Sequence, residues 1–91
     1  MKNKIFKLNA SENIINTISS TILINSDSDI VIIAEGTSQR IINLLDGKRD
    51  INTIVNILYT DYPDTPSKII FNDVCEYITL LCKNGICEQV N

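Results

Sequence analysis

The chain has no histidine and no tryptophan, and only two prolines and three glycines in 91 residues. Without histidine it lacks the commonest general base and the commonest metal ligand. Its three cysteines, an odd number, cannot close a disulfide framework. No apolar run approaches the roughly 18–20 residues of a membrane span. The start, Met1-Lys2-Asn3-Lys4-Ile5-Phe6-Lys7, is basic, but Asn9, Ser11, Glu12 and Asn13 arrive before any apolar h-region, so no signal peptide is expected. Eight Lys and Arg face eleven Asp and Glu, a net charge of −3. That balance argues against a protein devoted to phosphate backbone, which needs a basic stripe. The reading is a cytoplasmic protein with reduced thiols and with no nucleic-acid or membrane partner.

What is present is an ordinary globular balance, 44% hydrophobic and 21% charged. A length of 91 residues makes one domain, with a modest core and little room for a deep active site. The first third holds short β-branched runs bounded by Asn, Asp and Ser, which read as strands joined by turns. These fall near 4–8, 14–24 (broken near Ser19-Ser20) and 30–34. A turn at 25–29 makes the last two a hairpin.

The period changes at Gly36. Thr37 or Ser38 is placed to cap a helix with Ile41, Ile42, Leu44 and Leu45 as its apolar positions, and Gly47 is placed to stop it. Asp50 is the expected N-cap of a second helix. In it Ile51, Ile54, Val55 and Leu58 follow i, i+3, i+4, i+7 spacing, and it ends before Tyr62-Pro63. A third helix starts with Thr65 as cap and Pro66 at its first position. Phe71, Val74, Ile78 and Leu81 form its stripe, widened by Ile70, Tyr77 and Leu80. Gly85 ends it with Ile86 packing back on Leu81, and 86–90 reads as a short terminal strand. The expected fold is α+β and winged-helix-like: a small N-terminal antiparallel sheet of about three strands, then three α-helices.

Chemistry finds few footholds. Cys75 and Cys82 stand seven apart on one helix face, and Cys87 follows the helix. With no histidine this is not zinc spacing, and small buried hydrophobes are the better reading of the first two. The acidic residues are scattered singly, and no glycine belongs to a phosphate loop. No catalysis, metal or cofactor is expected. Asp27-Ser28-Asp29-Ile30 faintly resembles the modification site of acyl carrier proteins, but a hairpin turn is the better reading of Ser28. A winged-helix DNA-binding regulator is the main alternative function. Its third helix should be basic, yet Lys68 and Lys83 stand against Asp73 and Glu76.

The unusual feature is Ile30-Val31-Ile32-Ile33-Ala34, a strand apolar on both faces. A strand beside solvent should alternate apolar and polar residues. Either both faces are covered, or one face or the edge lies in a groove that receives a partner; composition leaves both open.

From residue 25 onward the order of signals resembles the PqqD-like proteins, the RiPP recognition elements. The matching residues are Ile30 to Ile33, Ile41, Leu44-Leu45-Asp46-Gly47, Ile54, Leu58 and Tyr62, then Asp73-Val74, Ile78, Leu81 and Gly85-Ile86. The first strand, Ile5-Phe6-Lys7-Leu8, fits as well. One departure from the pattern is a composition rich in Asn and Ile, which touches no motif.

The resemblance implies a module of winged-helix topology, without catalysis. Such a module binds the leader segment of a ribosomally made precursor peptide by strand addition to the third strand, in the cleft beside the third helix. It presents the core peptide to a maturation enzyme or leader peptidase. On this resemblance the edge is Ile30, Val31, Ile32, Ile33 and Ala34. The cleft wall is Ile70, Val74, Tyr77 and Ile78, with Asp73 at its rim. Which of Val74 and Ile78 face the core instead stays open. Lasso-peptide, radical-modified-peptide and quinone-cofactor pathways all use such modules.

Overall fold

A computed structural model describes residues 1–9 and 14–91. The Ser11, Glu12 and Asn13 of the sequence argument lie outside the described residues. Among the described residues, six strands and three helices follow one another: β1 (Ile5–Leu8), β2 (Ile14–Asn16), β3 (Ser20–Asn25), β4 (Ile30–Glu35), α1 (Thr37–Leu44), β5 (Asp46–Asp50), α2 (Ile51–Asp61), α3 (Ser67–Lys83) and β6 (Cys87–Gln89). The fold is α+β, as the sequence implied. The strands form two antiparallel three-stranded sheets, β5-β1-β6 and β2-β3-β4, in place of one. No helix among the described residues is long and apolar enough to cross a membrane.

The separation has a physical cause in the Leu-Asp-Gly-Lys-Arg-Asp segment. Gly47 was expected to stop α1. The helix instead ends at Leu45, whose N–H donates to the Ile42 carbonyl, and the chain turns directly into β5. The Asp46 carboxylate holds the turn: Oδ1 accepts from the N–H groups of Lys48 (2.9 Å) and Arg49 (3.0 Å), and Oδ2 meets the Arg49 guanidinium at 2.9 Å. β5 then pairs with β1 through Lys7↔Asp46 and Ile5↔Asp50, with a bulge between. The Arg49 backbone N–H, more than any other contact, holds the Asp46 carboxyl below its ordinary pKa. Its contribution to stability is therefore present above the unfolded-state value near ~4 and is lost as pH falls through the lower folded value. Acid titration of wild type and Asp46→Asn should show the shallower loss of melting temperature in the variant.

Gly47 has φ +78, and a Cβ there would stand 3.3 Å from the Lys7 Cβ. Gly47→Val should cost at least ~1 kcal/mol, since β-branched residues are strained at positive φ. An unchanged melting temperature would refute this.

Helix starts obey backbone geometry more than the expected caps. Asp50 behaves as expected, its Oδ1 accepting from the Thr53 N–H at 2.8 Å. At α1 the cap position is Gly36, not Thr37 or Ser38, and no side chain caps it. At α3 the cap position is Pro66, not Thr65. Its ψ of 137° is extended, so the helix begins one residue later than expected, and its carbonyl accepts from the Ile69 and Ile70 N–H groups. The other end of α3 is the expected motif. Gly85 has φ +72, its N–H donates to the Cys82 carbonyl, and the Ile86 N–H donates to the Leu81 carbonyl.

The core gathers the helical stripes on the inner faces of both sheets. Ile51, Ile54, Val55 and Leu58 of α2 are all buried. The α3 stripe is rotated from the one expected: Ile70, Val74, Ile78 and Leu81 are buried, Phe71 and Tyr77 flank them half-buried, and Leu80 faces solvent. Phe6, Leu23 and Ala34 close the core from the strands, and Ile86 closes it just ahead of β6. Thr21 is buried among them, and its hydroxyl bonds Asn16 Oδ1 at 2.7 Å.

Candidate functional site

β4 lies at the edge of its sheet. Among the described residues its only strand partner is β3, in the register Thr21↔Ala34, Ile22↔Ile33, Leu23↔Ile32, Ile24↔Val31, Asn25↔Ile30. The β2–β3 turn fixes which backbone groups face outward. The Thr17 N–H donates to the Ser20 carbonyl at 2.8 Å, so Ser20 points its carbonyl toward β2. Direction alternates along a strand, so Thr21, Leu23 and Asn25 point toward β4. Their opposite numbers Ala34, Ile32 and Ile30 close that ladder. Val31, Ile33 and Glu35 therefore turn their N–H and C=O groups to the open edge.

Side chains alternate in the same rhythm. Ala34 is fully buried and Ile30 and Ile32 are half-buried, whereas Val31 and Ile33 are 58% and 62% exposed. The apolar strand thus has one face on the core and one bare. The bare face continues across the sheet: Ile33 lies opposite Ile22 and Ile22 opposite Ile15, which is also exposed.

Where β4 runs into α1, two adjoining grooves open between α1 and α3. One is lined by Thr37, Ser38, Ile41, Asp73, Glu76, Tyr77 and Leu80. The other, toward α2, is lined by Thr37, Ile41, Leu58, Tyr62, Thr65, Ile70, Asp73 and Val74. A hydrogen bond of 3.1 Å from Thr37 Oγ1 to Tyr62 Oη joins α1 to the end of α2. Asp73 is exposed on the wall that both grooves share. Tyr77 is half-buried, and its Oη is buried without a hydrogen-bond partner among the described residues. Burial pushes the phenol's pKa up.

The residues singled out from the sequence fall into three groups. Ile30, Val31, Ile32, Ile33 and Ala34 form the edge strand, but none of them lines either groove. Ile70, Asp73, Val74 and Tyr77 line the grooves, with Ile70 and Val74 also buried in the core. Ile78 is fully buried and lies on the opposite side of α3, in a groove with Phe6, Cys82 and Cys87. Of the pair left open, then, Val74 serves both the core and the grooves beside α1, and Ile78 serves the core and lines neither of those grooves. Sequence reasoning missed Thr37, Ser38 and Ile41 as groove residues, having assigned them to capping and packing. It also missed Glu76 and Leu80, which stand one turn after Asp73 and Tyr77 respectively on α3. Helical spacing from Asp73 was the signal that could have found them.

An open, apolar strand edge next to grooves between two helices defines a small α+β module with an unpaired sheet edge. A model of the PqqD family, coenzyme PQQ synthesis protein D, matches residues 20–86, well over half of the chain. The chain belongs to that family and is a PqqD-like RiPP recognition element. The family comprises non-catalytic, peptide-binding accessory proteins that work with biosynthetic enzymes. Neither a curated protein nor a solved structure matches the chain.

Proposed function

We propose that the protein binds the leader segment of a ribosomally made precursor peptide by strand addition to β4 and delivers the precursor to a maturation enzyme or leader peptidase. The observation that carries this reading is the undefended edge. Soluble proteins blunt an exposed apolar edge strand with lysine, proline, a bulge or a covering segment. β4 has no lysine or proline, and among the described residues no strand covers it. An unprotected edge of this kind makes sense where a strand is meant to dock.

The chemistry of recognition follows from the two alternations. The leader backbone bonds to Val31, Ile33 and Glu35, which reads no sequence. One set of leader side chains continues the bare face beside Val31 and Ile33. The other set turns toward the α3 side, where the grooves supply apolar walls and the carboxylates of Asp73 and Glu76. The unpartnered Tyr77 hydroxyl is a donor suited to a leader carbonyl or side-chain oxygen.

Amide shifts during titration with the leader of the precursor encoded alongside test the reading. The Val31, Ile33 and Glu35 amides should move and gain protection from exchange, while those of Ile30, Ile32 and Ala34, already bonded to β3, keep theirs. Tyr77→Phe should fold at least as stably as wild type, since it removes an unsatisfied buried hydroxyl. It should bind the leader about 2–10-fold more weakly, the worth of one hydrogen bond of roughly 0.5–1.5 kcal/mol. A leader that binds without touching the β4 amides would sink strand addition.

A further inference from the structure

On the far side of α3 from these grooves, two thiols meet. Cys82 Sγ in the last turn of the helix and Cys87 Sγ at the start of β6 are 3.0 Å apart. A disulfide bond is about 2.05 Å long, so closure asks for a shift of roughly 1 Å between groups already facing each other. Cys75 is the poorer partner for Cys82. Seven residues of helix separate their Cα atoms by about 10.5 Å, beyond the roughly 7 Å that a disulfide spans.

Cys87 is buried and Cys82 is half-buried in an open groove whose lining includes Lys4, Lys83, Glu88 and Gln89. Glu88 is paired with Lys7 at 3.5 Å, while Lys4 and Lys83 are exposed at the groove. An anionic thiol reagent thus meets a half-buried cysteine lining the groove, cationic neighbours, and a second sulfur 3.0 Å from the first.

We propose that Cys82 and Cys87 form a reversible disulfide that tethers the end of α3 to β6, with an anionic low-molecular-weight disulfide such as oxidised glutathione as the oxidant. The Cys82 thiolate attacks one glutathione sulfur, the glutathione S–S bond breaks, and one reduced glutathione leaves. The Cys87 thiol then loses its proton and attacks Cys82 Sγ in the mixed disulfide, expelling the second glutathione. Two protein thiols are oxidised and one glutathione disulfide is reduced to two thiols. Burial above all, and then the neighbouring Cys82, hold the Cys87 thiol in its protonated form; capping Cys82 removes the second influence before Cys87 must react. Because β6 pairs with β1 through Leu8↔Cys87, the tether joins α3 to the β5-β1-β6 sheet. This inference stands on the thiol geometry and does not depend on peptide binding.

The test is incubation of the folded full chain with oxidised glutathione, then alkylation by iodoacetamide, tryptic digestion and mass spectrometry. Cys75 alone should alkylate. Cleavage after Lys83 should leave two peptides joined through Cys82 and Cys87. The melting temperature should rise by about 5–15 °C, as expected for a short closed loop in a domain of this size, and return with dithiothreitol. Cys75→Ser should behave as wild type, and Cys82→Ser should show neither link nor rise. Three alkylated thiols, a lasting glutathione adduct on Cys82, or a link through Cys75 would each overturn the proposal.

Discussion

Ile33→Pro should abolish or cripple leader binding and leave a folded protein, whereas Ile32→Pro should damage the fold. The two residues are neighbouring isoleucines, so hydrophobicity cannot produce the difference. Backbone direction does. Ile33 turns its N–H to the open edge and loses no internal bond when that donor is removed. Its side chain is already in solvent, so little packing is lost. An incoming strand forfeits one bond of roughly 0.5–1.5 kcal/mol, and the pyrrolidine ring also blocks its close approach to the neighbouring pair. Together these weaken binding by about 10-fold or more.

Ile32 gives its N–H to β3 opposite Leu23, which is buried. Proline there strands a carbonyl in the core and removes a half-buried side chain, about 3 kcal/mol or more in all. Val31→Pro should fall with Ile33→Pro. Affinity for the leader and thermal stability, measured together across the three variants, decide the matter. If every variant that stays folded binds as wild type does, strand addition to β4 is wrong and the family likeness carries the fold without the binding mode.

The apolar positions of β4 and of the helices were legible because periodicity is a property of the chain alone. The doubly apolar run at 30–34, the stripe of α2 and the terminal motif around Gly85 all appear where their spacing put them. The failures lie where long-range contact overrides local preference. Asp46–Asp50 has no β-branched or apolar residue, and it is a strand only because its backbone pairs with β1 and Asp46 pins the turn. The meeting of Cys82 and Cys87 was hidden because sequence spacing describes helical faces. It does not describe how a chain folds back after a glycine turn. Which α3 residues line the grooves depends on helix rotation. A shift of one position brought Ile70 into the core stripe, left Phe71 at its flank, and put Leu80 at the groove. Parity at β4 was beyond the sequence altogether. It follows from the Thr17-to-Ser20 bond in the β2–β3 turn together with the registers of β3 against β2 and β4.

Gly85→Ala should cost about 2–3 kcal/mol, more than strain at positive φ accounts for alone. At φ +72 an L-residue loses roughly 1–2 kcal/mol. The additional loss comes from crowding: a Cβ at Gly85 would lie 2.6 Å from Asn25 Nδ2, closer than any real contact. Asn25 is not free to yield cheaply. Its Nδ2 donates to the Asn84 carbonyl at 2.8 Å, joining the end of β3 to the end of α3. Turning it away forfeits that bond, roughly 1 kcal/mol. A double-mutant cycle separates the two causes. Asn25→Ala alone should cost about the hydrogen bond. In that background Gly85→Ala has nothing to displace and should cost only the backbone strain, so the double variant should be about 1 kcal/mol more stable than the sum of the singles predicts. Denaturant midpoints at constant slope measure all four corners. Strict additivity would mean that the amide is not what makes glycine necessary here, and that positive φ alone accounts for it.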